Sequence, residues 1–126
     1  MNQEKRVIVE KYIEAYNNFE TDEMLSLFAS DCTFENYSNN ELTVSAEGLT
    51  QLRMLMEQGK NIFAARRQTV TKLAFVGETV VAEIDYRGKL KVGLPNGLKA
   101  GDELEFHGRS EFEFENDSIK SLKDFS

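Results

Sequence analysis

The chain is predicted to be an α+β domain, with three helices in its first half and long antiparallel strands in its second. Two features of the sequence lead there. Apolar residues recur at helical spacing in the first half, and from Gln68 onward four stretches favour strand, with turn residues between them. Helices first and hairpins later put the helices on one face of an antiparallel sheet. At 126 residues the chain is the size of one domain with one core, spanning 1–126.

From about Gln3 to Phe19 the residues Val9, Tyr12, Ile13, Tyr16 and Phe19 form one apolar face, which predicts an amphipathic helix. Thr21 has the chemistry of an N-cap for a short second helix, with Asp22 and Glu23 at its positive end and Met24, Leu25, Leu27 and Phe28 on its buried side. Asp31 to Tyr37 alternates, so Cys32, Phe34 and Asn36 share a face of a half-buried strand. Ser38-Asn39-Asn40 is a turn, and Leu42 to Ser45 returns as a short strand. Gly48 precedes a third helix, about Leu49 to Phe63, with Leu52, Leu55 and Met56 as its apolar face. The strands that follow are Gln68 to Val76, Thr79 to Val92, Glu103 to Asn116 and Ser118 to Phe125. Sequential strands of this kind make a meander. In the third, Leu104, Phe106, Gly108, Ser110, Phe112 and Phe114 face one way and a charged set including His107 the other.

A formal charge of -7 argues against nucleic acid as a partner, since that affinity comes from clustered Lys and Arg. The adjacent pair Arg66-Arg67 reads as two residues at the start of a strand. No apolar run approaches a bilayer span, so no membrane is expected. The first twelve residues lack the apolar core of a signal peptide, and Cys32 is a lone cysteine, which together make the cytoplasm the expected compartment. One histidine and one cysteine far apart offer no metal cluster, and no metal or other cofactor is expected.

Several stretches carry a further signal: Tyr12-Ile13, the run Leu25 to Asn36, Glu47-Gly48 with Leu52-Arg53, Phe112 to Ile119, and Leu122-Lys123-Asp124. With the order of elements, these resemble the nuclear transport factor 2-like superfamily, in its ketosteroid isomerase and SnoaL-like polyketide cyclase branch. The resemblance implies a cone-shaped, curved sheet packed against the three helices and enclosing an apolar pocket. It also implies a homodimer through the outward face of the sheet. One scaffold of this kind hosts many activities, so the fold alone does not name a reaction.

Carried over residue by residue, the resemblance makes Tyr12 a donor to a developing oxyanion. Asn36 falls where isomerase-like members carry their aspartate base, and Ser110 where they carry a protonated acid; neither is an acid here. Asp124 matches a C-terminal acid or base of cyclase-like and epoxide-hydrolase-like members. The latter hold an arginine between two acids, and near that place this chain has Glu83, Ile84 and Asp85.

The candidate catalytic set is therefore Asp124, Tyr12 and Asn36, and the candidate ligand-binding set is Tyr16, Phe28, Phe34, Leu55, Tyr86, Ser110, Phe112 and Leu122. Leu122 and Asp124 share a strand face, so the carboxylate lies beside an apolar wall that would raise its pKa. The competing readings are a solvated acid at the C-terminus and core tyrosines. Glu83, Asp85 and His107 fall on the face away from the phenylalanines and read as a surface ion network. The expected function is a cofactor-free isomerase, cyclase or hydratase acting on an apolar, oxygenated small molecule. The alternative is a ligand-binding or dimeric interaction module that has lost its acid–base set.

Overall fold

A computed structural model describes residues 2–126. Its elements are α1 (Asn2–Asn17), α2 (Thr21–Ser26), β1 (Phe28–Ser38), β2 (Glu41–Glu47), α3 (Gly48–Ile62), β3 (Phe63–Val76), β4 (Thr79–Leu90), β5 (Glu103–Glu115) and β6 (Ser118–Phe125). The strands form one curved, unclosed sheet in the order β2-β1-β6-β5-β4-β3. From β3 to β6 the strands are the expected meander, and β1–β2 is a hairpin. The two parts are joined by β1 running parallel to β6, with Asn36 beside Asp124 and Tyr37 beside Phe125.

The core forms where the helical stripe meets the sheet's inner face. On α1 the stripe is Val9, Tyr12 and Ile13, and burying each side chain of this size contributes roughly 1.5–3 kcal/mol. β4 supplies the most regular half: Val80, Ala82, Ile84 and Tyr86 are buried, while its intervening residues are less so. Phe112 of β5 and Ile119 and Leu122 of β6 are fully covered beneath them.

The end of α1 is fixed by side chains rather than by a glycine. Glu20 N–H donates to the carbonyl of Ala15 and Phe19 N–H to that of Tyr16, which closes the helix with Phe19 at φ 58. A phenylalanine in that conformation carries a cost on the order of 1 kcal/mol. The Arg66 guanidinium covers it, 4.3 Å from the Phe19 ring and 3.7 Å from the Tyr16 ring, and Arg66 Nε donates to the Tyr16 carbonyl at 2.9 Å. Next to it, Asn17 exchanges two hydrogen bonds with the backbone of Gln68. The helix end is thereby clamped to β3.

Some local expectations are corrected. Thr21 is not an N-cap: it is the first helical residue, 5% exposed, and its Oγ1 has no hydrogen-bond partner. The flanking position belongs to Glu20, which makes no side-chain cap bond either. The strands β1, β2 and β3 are longer than their alternation indicates, because pairing extends them into residues whose side chains are not patterned. Arg66 and Arg67 lie within β3 rather than at its start, and Arg66 is 8% exposed.

On the outer face, His107 Nδ1 is 2.6 Å from Asp85 Oδ1, Arg87 lies 3.4 Å from Glu105, and Arg109 Nε donates to Glu111 at 2.9 Å. These are exposed, screened contacts of small energetic weight. Among the described residues no helix is long and apolar enough to cross a membrane, and no group of His, Cys, Asp or Glu side chains is arranged to hold a metal ion.

Candidate functional site

Between the helices and the inner face of the sheet lie two adjoining hollows, of about 320 and 310 Å³. The first, on the sheet side, is walled by Gln68, Ile84, Tyr86, Phe106, Ser110 and Phe125, among others. The second, on the helix side, is walled by Tyr12, Phe34, Leu52, Leu55, Met56 and Arg66, among others. Tyr16, Asn36, Phe63 and Asp124 line both.

Asp124 is the acid at this junction. β6 delivers it two residues after Leu122, which is fully buried, so the carboxylate is half-buried against an apolar wall. Ser110, its register partner on β5, donates from Oγ to Asp124 Oδ1 at 2.6 Å. Burial raises the Asp124 pKa to about 6, and the Ser110 hydrogen bond, which favours the ionised form, opposes part of that rise. The end of β6 is tied down: Ser126 N–H donates to the Tyr37 carbonyl, and the Tyr37 and Phe125 rings stack at 5.1 Å. β6 also needs a residue without a side chain opposite. A Cβ on Gly108 would come within 2.6 Å of the Phe125 carbonyl oxygen.

Three phenols share these walls with the acid. Tyr12 is 5% exposed, in edge contact with Phe28 and Phe112, and its hydroxyl is held protonated first by burial and then by the neighbouring charge of Asp124. The hydroxyls of Tyr16 and Tyr86 are hydrogen-bonded to one another at 2.8 Å. Burial raises both of their pKa values, so both remain neutral donors at ordinary pH. The Phe63 ring packs on Tyr86, 6.0 Å between centroids, in space that a Cβ on Gly88 would take, since it would come within 2.7 Å of that ring.

The sequence-derived catalytic candidates Tyr12, Asn36 and Asp124 all line the helix-side hollow. Asn36, however, is only half-buried, and its Nδ2 donates to Thr43 Oγ1 at 2.8 Å, across the β1–β2 hairpin. Of the ligand-binding candidates, Tyr16, Phe34, Leu55, Tyr86 and Ser110 line one hollow or both. Phe28, Phe112 and Leu122 lie beneath them in the core, 6%, 0% and 0% exposed. Sequence reasoning missed Phe63, Arg66, Gln68 and Phe106. The signal for Arg66 and Gln68 was present: they keep the two-residue period of β3 that continues into Val70, which packs on the core.

The helices of this α+β chain cover one face of a curved, unclosed sheet, with a half-buried acid in a hollow between them. The sequence model of the SnoaL-like domain matches residues 9–122, and the chain belongs to that family. No curated protein matches the chain significantly. Among solved structures, one is a Catenulispora acidiphila DSM 44928 protein of ketosteroid isomerase-like fold in complex with trimethylamine, 20% identical over 94% of this chain and 84% of its own, TM-score 0.79. A Jannaschia sp. CCS1 protein assigned as a SnoaL-like polyketide cyclase is 13% identical over 98% and 85% of the two chains, TM-score 0.82. An LEH-like epoxide hydrolase of M. tuberculosis is 15% identical over 98% and 82%, TM-score 0.77. At these identities the likeness is one of fold.

Proposed function

We propose that this protein is a cofactor-free acid–base enzyme acting on an apolar, oxygenated small molecule held in the two hollows. The reaction is an isomerisation, cyclisation or hydration. One observation carries the reading: Asp124 lines both hollows, and burial lifts its pKa to about 6, close to where a general acid or base works best. Asp124 moves the proton. Tyr12 donates to the substrate oxygen on which charge develops, and a neutral phenol in a dry wall suits that role. Asn36 orients the substrate or a water. The reading is tested with a panel of enolisable ketones, polyketide-like esters and epoxides. Turnover by the native chain and none by Asp124→Asn supports it; equal turnover by both overturns it.

A second reading, a binding module without chemistry, is favoured by Asn36 and Ser110, which leave Asp124 without a second acid beside it. Ligand binding with no turnover across the same panel would select it. We also propose a homodimer through the outer face of the sheet, where charges of both signs stand exposed. Light scattering that gives a monomer mass at high concentration would remove it.

A further inference from the structure

Arg66 is the charge in the hollow that the proposed proton transfer does not use. It is 8% exposed, and among the described residues it forms no ion pair. Its Nε is used by the Tyr16 carbonyl, and its flat faces by the Tyr16 and Phe19 rings. Nη2 is buried and has no hydrogen-bond partner. Nη1 packs against α3 where Gly59 leaves room: a Cβ there would stand 3.1 Å away. Two residues along the same strand, Gln68 is 7% exposed and its Oε1 likewise has no partner. An orphaned donor and an orphaned acceptor therefore lie side by side on β3, in the walls of the helix-side and sheet-side hollows respectively.

Burying a guanidinium without a counter-charge is expensive, and ring faces with one carbonyl offset only part of that cost. A fold that needed only to cap α1 could do so with a neutral donor. A planar fork with a free N–H is the geometry that recognises a carboxylate. Tyr12 and Tyr16 both sense Asp124 and Arg66. The cation and the acid both line the helix-side hollow, together with Tyr12 and Tyr16.

We propose that the ligand is an organic acid: a flat, apolar body that lies along Phe63, Tyr16 and Tyr86 and pairs its carboxylate with Arg66 on the helix side. This rests on the reading of the hollows as a ligand site and names the class of ligand. Nη2 is covered in the free protein, so pairing requires a small shift of the groups around it. Gln68 Oε1 is then an acceptor for a hydroxyl next to the carboxylate.

The test uses two probes of the same shape, 2-naphthoate and 2-naphthamide, titrated calorimetrically at pH 7.5. The native chain is expected to bind the acid about tenfold or more tightly than the amide. Arg66→Met should abolish that preference and still bind the amide, and Arg66→Lys should restore part of it. Should Arg66→Met fail to fold, the Arg66 Nε–H resonance of the native chain serves instead, shifting with naphthoate and not with naphthamide. Equal affinity of the native chain for both probes, or a preference that survives in Arg66→Met, overturns the proposal while leaving the hollows a ligand site. Binding of neither probe up to about 1 mM overturns both readings.

Discussion

Ser110 and Asp124 are register partners on β5 and β6, and the serine hydroxyl donates to the carboxylate at 2.6 Å. The hydrogen bond stabilises the ionised acid, so it pulls against the burial that raises the Asp124 pKa to about 6. Ser110→Ala should move the Asp124 midpoint upward by about half a unit to one unit. Carboxyl-detected NMR titration measures it; a midpoint that stays put or falls would show that the hydroxyl does not govern the acid.

Asp124→Asn should make the protein more stable in alkali. Its folded-state pKa, about 6, lies above the ordinary value of 3.8, so the folded chain holds that proton more tightly than the unfolded one. The native chain therefore loses stability as pH rises from about 4 to about 6 and none further above that, at most about 3 kcal/mol and less for a half-buried group. The amide has no proton to lose. Urea denaturation should show the variant ahead by about 1–2 kcal/mol at pH 8, with the gap closing below about pH 4. A variant less stable than the native chain at pH 8 would count against a desolvated acid.

The phenols should separate by readout. Tyr86→Phe removes the 2.8 Å bond to Tyr16 and should cost about 1 kcal/mol of stability. Tyr12→Phe should lower kcat on whichever substrate the panel finds by roughly a hundredfold or more. Equal kcat for Tyr12→Phe and the native chain would take the oxyanion role from Tyr12.

Gly88→Ala should change the capacity of the hollows. The new methyl would stand 2.7 Å from the Phe63 ring, and Phe63 lines both cavities, so the ring must swing away from β4. Affinity for a bulky probe should fall about tenfold more than affinity for a small one. A uniform loss would indicate general destabilisation instead.

Much of the fold is legible in the sequence because periodicity changes along it: the apolar stripe of α1 and the strict alternation of β4 are local patterns, and local patterns can be read. The parallel β1–β6 pair is not local, and no turn announces it, so the sequence shows a meander and a hairpin but not their junction. Asp124 could be found from the family resemblance, supported by its sharing a strand face with Leu122. Arg66 could not be separated from Arg67 by type, since only alternation distinguishes the buried one from the exposed one. Thr21 misled because its residue type fits a cap, whereas the tertiary packing buries it one position later.

The junction of β1 and β6 has a kinetic meaning. Asn36 and Asp124 are 88 residues apart in the chain (124 less 36), so their pairing closes the longest loop in the sheet and must wait for the last strand. A collapsed intermediate lacking β6 would hold its helices and much of its meander but have no acid in the hollow. Refolding followed by helical signal should therefore run ahead of refolding followed by ligand binding.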